Sequence, residues 1–382
     1  MTGWAARKAN ADAAEVVSPK AKTPFGRFAG GPGFASAGFA SVLHAPCRLG
    51  IFFRSQEAYH VGMHGKWMFG VLAAAWVLSG CGRPAPEPAA PPPAAESAAA
   101  EPVAVDGERA LEEVRNFLAL GPRDAGTPGA EKAALYLRDR LRALGVEAEI
   151  QEFREDTPRG ETVFRNVLGR IPGATGTIVL FGAHYDTKSG IAGFSGANDS
   201  GSGTGLLLEL SRGFAQAAPR AAEIRFAFFD GEECMVAYGP GDGFHGSEHL
   251  ARTMEADGSL SNVAAMILLD MVGDRDLTVT IPRNSTPWLA ALAFDAARAE
   301  GVRQRFRLHP AHIGDDHVAF FRRGTPAIDL IDFEFGGAPG KNDWWHTAED
   351  SLDKLSAESL GIVGRVAARM ADGAAARAAG EK

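Results

Sequence analysis

The run Phe226-Ala227-Phe228-Phe229-Asp230-Gly231-Glu232-Glu233 carries an apolar stretch straight into three carboxylates and a glycine. Adjacent glutamates directly after a buried strand are an electrostatic cost, because like charges that close raise each other's pKa unless a cation or a proton lies between them. A bound metal resolves the conflict if one glutamate ligates it and the other stays free to move a proton. His184, Asp199, Asp270 and His346 offer donors of the same kind as Glu233. Oxygen and imidazole donors together suit zinc. Taken singly, three of them have an ordinary alternative: Asp199 as a helix N-cap, His184 as a core or supporting histidine, and His346 as a loop histidine beside Trp344 and Trp345. The spacing is not that of a local helical motif, so the metal reading requires a fold that gathers remote residues.

Such a fold is legible in the hydrophobic pattern. Strands are expected over 146–153, 163–171, 177–182, 224–229, 263–269 and 327–331, and helices over 107–120, 130–144, 202–215, 286–300 and 356–375. Strands that are apolar throughout and alternate with helices indicate an α/β domain: a mixed, mostly parallel central sheet flanked by helices on both faces. His184, Asp186, Glu232, Glu233 and Asp270 all fall just past C-terminal strand ends. Open α/β sheets bind their ligands at that edge.

The chain has 382 residues and a net charge of −8, which argues against a nucleic-acid partner. Its cysteines, Cys47, Cys81 and Cys234, are far apart and form no CxxC pair, so neither a disulfide framework nor a thiolate zinc site is indicated. Cys234 beside Glu233 is expected to pack as a small apolar residue, with a soft metal ligand as the alternative. From Met63 the chain runs through His64 and Lys66 into an apolar segment, Trp67 to Leu78, that ends in Leu78-Ser79-Gly80-Cys81. The segment is short for a permanent membrane span. It resembles the signal peptide and lipobox of bacterial lipoproteins, which implies lipidation at Cys81, with a stray apolar helix and buried cysteine as the alternative. The resulting organisation is an over-long gene start or disordered extension over 1–62, a signal peptide over 63–80 and a lipidated cysteine with a Pro/Ala tether over 81–105. A catalytic domain over 106–376 and a tail over 377–382 complete it. The expected location is the periplasmic face of a bacterial envelope. Gly82 after the cysteine favours the outer membrane.

Gly182-Ala183-His184-Tyr185-Asp186, Gly196-Ala197-Asn198-Asp199-Ser200-Gly201, Asp230-Gly231-Glu232-Glu233, Gly246-Ser247, Leu269-Asp270 and Trp345-His346-Thr347 fall in the order found in the zinc aminopeptidase-like superfamily, the M28 peptidase type. The chain resembles that superfamily over residues 107–375. One branch of the superfamily is aminopeptidases with two zinc ions. The other is glutaminyl-peptide cyclotransferases, which use one zinc to close N-terminal glutamine into pyroglutamate. His184-Tyr185-Asp186-Thr187-Lys188 and the segment from Asp315-Asp316-His317 to Arg322-Arg323-Gly324-Thr325-Pro326 look more like the cyclotransferases. The resemblance implies one zinc on Asp199, Glu233 and His346, a proton shuttle at Glu232, and Asp270 holding the substrate's α-amine with Asp315 hydrogen-bonded behind it. Trp345 would line the pocket. Tyr238 stands where the family often has Trp, and Asp329 where cyclotransferases have a histidine near the amide site; both would be substrate-binding. An aminopeptidase would use His184 and Asp270 to complete a second zinc site. The expected partners are peptides with a free N-terminus, glutamine preferred, and a membrane through the lipid anchor. The expected state is a monomer. An inactive, tethered binding protein is a third reading, disfavoured because every metal and proton-transfer position is filled.

Overall fold

A computed structural model describes residues 102–380. The extension, the signal peptide, Cys81 and nearly all of the tether lie outside the described residues. Helix α1 (Gly107–Leu118) opens on Asp106, whose side chain accepts from the N–H groups of Glu108 and Arg109. Helix α2 (Pro128–Ala143) opens on Thr127 with proline in its first turn. Strands β1 (Glu147–Thr157) and β2 (Gly160–Ile171) follow as an antiparallel hairpin. Then come β3 (Ile178–His184), α3 (Gly203–Gln216), β4 (Glu223–Phe229), α4 (His245–Ala256) and β5 (Val263–Asp270). The remainder is β6 (Val279–Ile281), α5 (Pro287–Ala299), β7 (Phe306–Leu308), α6 (His317–Phe321), β8 (Ala327–Ile331) and α7 (Ala357–Ala378).

The main sheet has the order β1-β2-β4-β3-β5-β8. β4, β3, β5 and β8 run parallel, and the β1–β2 hairpin adds antiparallel on the β4 side. Strand alternation then divides the core. Phe181 and Ala183 of β3, Phe226 and Phe228 of β4, and Ile267 and Leu269 of β5 pack with α1, α2, α3, α5 and α7. Leu180, Ala227, Phe229, Met266 and Leu268 turn the other way, against α4 and α6. The expected mixed, mostly parallel sheet between two helical layers is present. β6 and β7 form a separate parallel pair. No helix among the described residues is long and apolar enough to cross a membrane.

The differences from the sequence pattern are local. β1 and β2 run further than expected because the hairpin keeps pairing through Thr157 and Gly160, where the residues are polar and carry no alternation to read. α4 was not expected: it opens without a side-chain cap, on Phe244 in a left-handed conformation.

Candidate metal centre and active-site cleft

The parallel strands deliver the site. His184 is the last residue of β3 and Asp270 the last of β5, while Glu232 and Glu233 sit in the turn that follows β4. Asp186, fully buried, holds that turn: its two carboxylate oxygens accept from the N–H groups of Glu232 and Glu233, each at 3.2 Å. Gly231 adopts φ 73°, and a Cβ there would lie 2.4 Å from the Phe164 ring, so this turn requires glycine.

Asp199 is not an N-cap. It lies inside a π-type turn, Ala197–Ser202, with non-helical backbone angles, and the cap position of α3 is Ser202. Asp350 anchors this turn. Its Oδ1 accepts from the Asn198 N–H at 2.7 Å and its Oδ2 from the Asp199 N–H at 3.1 Å. Arg123 is 1% exposed and closes the turn from behind, donating to the carbonyls of Tyr185, Ser195 and Gly196. Burial lowers the Arg123 pKa to about 10, opposed by Asp186 and Asp350. Orphaning a buried N–H costs on the order of 1–3 kcal/mol. Asp350→Ala should therefore lower unfolding stability by roughly 2–6 kcal/mol, counting two such groups, and weaken metal retention. Urea melts with parallel metal analysis check this, and a variant as stable as the parent would count against the anchoring role.

Two donor clusters share Asp199: Asp199, Glu233 and His346 form one, and His184, Asp199 and Asp270 the other. In the first, His346 Nε2 lies 3.0 Å from Glu233 Oε1 and 3.3 Å from Asp199 Oδ2. In the second, His184 Nε2 lies 3.1 Å from Asp199 Oδ1 and 3.3 Å from Asp270 Oδ1. Tetrahedral ligands with bonds of about 2.0–2.2 Å sit roughly 3.3–3.5 Å apart, so these separations suit an ion shared among the donors. Asp199 Oδ2 and Asp270 Oδ1 are buried with no hydrogen-bond partner, as expected of atoms directed at a cation. His184 Nδ1 faces Asp186 Oδ1 at 3.5 Å, the kind of outer contact that orients a ligating imidazole.

The electrostatics agree. Burial raises the Glu232 pKa well above the carboxylate range, and the Glu233 charge adds to this. Glu233 is raised by burial and by Asp199, against the pull of His346. Burial opposes ionisation of Asp199 too, but His184 and His346 hold it below the usual range. For His184, burial is overcome by its contacts with Asp186, Asp199 and Asp270, which push it well up. Packing this many buried acids around two imidazoles is costly without a cation. Lys188 relieves part of the cost, with Nζ 3.3 Å from Glu233 Oε2 and donating to Cys234 Sγ and O at 2.8 Å each. Cys234 is thus buried but not simply an apolar filler.

Above the clusters lies a cleft of about 450 Å³. Glu232, Tyr238, Asp270, Phe333, Trp345 and His346 face it. The Tyr238 hydroxyl donates to Glu233 Oε2 at 2.9 Å and stands 3.3 Å from Glu232 Oε2. Trp345 stacks on His346 with ring centroids 4.0 Å apart and meets Phe333 edge-on. Among the described residues, three non-glycine residues adopt left-handed backbone, Phe244, Met271 and His346. Phe244 and His346 line the cleft, and Met271 directly follows Asp270. Strained backbone of this kind clusters at functional sites.

Two expectations need correction. Asp329 does not line the cleft. It is 0% exposed in the middle of β8, opposite Leu268, and so points under α6. Asp315 lies at the cleft floor, but its hydrogen bonds run to the Asp316 N–H, at 2.6 Å, and to Asp329, while Asp270 acts on it as a neighbouring charge. Asp350 and Arg123 were not anticipated; each works through contacts remote in sequence. Lys188 stood within a noted motif without an assigned role.

Residues 166–371 match the profile of peptidase family M28. The chain belongs to this family. Among curated relatives of this M28 protein, a glutaminyl-peptide cyclotransferase-like protein of Bos taurus is 32% identical over 278 residues, covering 64% of this chain and 70% of its own. Among solved structures, a glutaminyl cyclase from an Acidobacteriales bacterium is 34% identical with a TM-score of 0.69, covering 76% of this chain and all of that one. A zinc-dependent exopeptidase of Parabacteroides distasonis is 27% identical with a TM-score of 0.62, covering 69% and 97%. The M28 fold therefore accommodates both chemistries that the motifs suggest.

Proposed function

We propose that this M28 protein is a zinc-dependent glutaminyl-peptide cyclotransferase that converts N-terminal glutamine of peptides to pyroglutamate and releases ammonia. The observation that carries the reading is a free carboxyl, Glu232, at the cleft beside a cluster of metal donors, in a chain whose relatives are glutaminyl cyclases. Asp199, Glu233 and His346 would hold one zinc. Bound there, zinc supplies Lewis-acid polarisation of the side-chain amide carbonyl. Asp270 orients the α-amine of the substrate, so that closure is a positioned intramolecular reaction. The amine nitrogen bonds to the amide carbon, and the bond from that carbon to nitrogen breaks. Glu232 accepts the proton from the attacking amine and returns it to the departing ammonia. Asp315 supports the cleft floor beside Asp270, and Trp345 and Tyr238 wall the pocket around the glutamine side chain.

The His184, Asp199 and Asp270 cluster favours a second reading, a two-zinc aminopeptidase, in which Glu232 would deprotonate a water. A zinc-loaded sample assayed side by side separates them. Ammonia release from a glutamine-initiated peptide amide, with no hydrolysis of leucine or arginine arylamides, is expected. Arylamide hydrolysis without cyclisation overturns the proposal.

The working context we propose is a monomer held to the bacterial envelope, outer membrane preferred, by a lipid on Cys81. Metabolic lipid label should disappear in Cys81→Ala, and label that persists there removes the anchor.

A further inference from the structure

Glu233 presents its two carboxylate oxygens to different neighbours. Oε1 faces His346 Nε2 at 3.0 Å, inside the proposed ligand set. Oε2 is taken up by two other groups: it accepts from the Tyr238 hydroxyl at 2.9 Å and lies 3.3 Å from Lys188 Nζ. An ionised carboxylate accepts through about two sites on each oxygen, so a phenol and an ammonium together use the capacity of Oε2. Both donors are themselves held. Lys188 donates to Cys234 O and Sγ at 2.8 Å each, which with Glu233 makes an acceptor for every ammonium proton. Its Nζ also stands 4.9 Å from the centre of the Tyr238 ring, a cation–π contact that braces one donor against the other. The Tyr238 ring stacks on Phe244 with centroids 5.0 Å apart. The hydroxyl has one proton to give and lies closer to Glu233 than to Glu232.

The consequence is how many oxygens Glu233 can offer a cation. A carboxylate with both oxygens free can chelate, whereas one whose Oε2 is committed to two donors offers Oε1 alone. Asp199 is divided in the same way, with Oδ2 3.3 Å from His346 Nε2 and Oδ1 3.1 Å from His184 Nε2. Two single oxygens and one imidazole nitrogen are three donor atoms, and a four-coordinate zinc then keeps a position for a ligand from the cleft. We infer that Tyr238 and Lys188 are positioning residues that restrict Glu233 to one ligating oxygen and so keep that position open. The inference rests on the proposed ligand set of Asp199, Glu233 and His346, but not on which reaction follows, because cyclisation and hydrolysis both need an open position.

Cobalt(II) suits the same donors as zinc, and four-coordinate cobalt absorbs visible light far more strongly than five-coordinate cobalt. The full chain is loaded with cobalt, and the bands that vanish in His346→Ala are assigned to this centre. In the parent these bands should be intense. Tyr238→Phe and Lys188→Met should each keep the cobalt and lose part of the intensity, and the double variant should lose most of it as the freed Oε2 closes on the ion. Tyr238→Phe removes only the hydroxyl of a residue that is 41% exposed, so it decides the matter should Lys188→Met not fold. Unchanged bands in Tyr238→Phe, loss of cobalt from it, or weak bands in the parent would overturn the inference and leave the ligand set standing. A parent whose bands all survive in His346→Ala would remove the ligand set, and the inference with it.

Discussion

Glu232→Gln should cut turnover by orders of magnitude and leave the metal in place. In the proposed reaction one proton must leave the attacking amine and reach the departing ammonia, and Glu232 is a cleft-facing carboxyl outside the three proposed ligands and next in sequence to one of them, Glu233. Positioned acid–base groups contribute about 10²–10⁴-fold, so kcat should fall by that range with KM little changed. Glutamine keeps the size of the side chain and an oxygen to face the Tyr238 hydroxyl, now at 3.3 Å, so the cleft need not rearrange. The variant also removes a buried acid raised by its neighbour Glu233, and it should be at least as stable as the parent. Kinetics on a glutamine-initiated peptide, with metal content measured on the same preparation, tests both parts. Activity within a few-fold of the parent would deny Glu232 the proton-transfer role, and loss of metal would make it a ligand instead.

Removing the cation should have a comparable effect by another route. Lewis-acid stabilisation of developing charge is worth several kcal/mol, and each 1.4 kcal/mol is about tenfold in rate. Chelation should therefore suppress turnover by at least about 10³-fold, and added zinc should restore it. His346→Ala should show the same loss without rescue, because one of the three donors is gone. His346 is partly exposed on the cleft wall, its side chain 18% accessible, and its main contacts are Asp199, Glu233 and the Trp345 ring. The fold should therefore survive the substitution. A chelated protein with undiminished activity would contradict the metal-centred chemistry.

What was legible in the sequence follows from where the physics is local. β3, β5 and the second half of β4, Phe226–Phe229, are covered on both faces, so they read as unbroken apolar runs, and a polar residue at or just past the end of such a run marks the sheet's edge. That is why the sequence alone places His184, Glu232, Glu233 and Asp270 together. α6 is too short for a helical period to show, and β6 and β7 too short for alternation. Asp350 gave no signal, because its role is to accept N–H groups 152 and 151 residues away in sequence, those of Asn198 and Asp199. Asp329 was misplaced for a different reason. Position along the chain says that it lies near the cleft, but only the β5–β8 register, Leu268 opposite Asp329, says which face it points to. That face lies beneath α6.

The most direct test is anomalous diffraction at the zinc edge from crystals of the zinc-loaded protein. A peak within bonding distance of Asp199, Glu233 and His346, with the Glu232 carboxyl unligated and open to the cleft, is the predicted result. A protein with no zinc at these three side chains, or with Glu232 bound to the ion, would contradict the account.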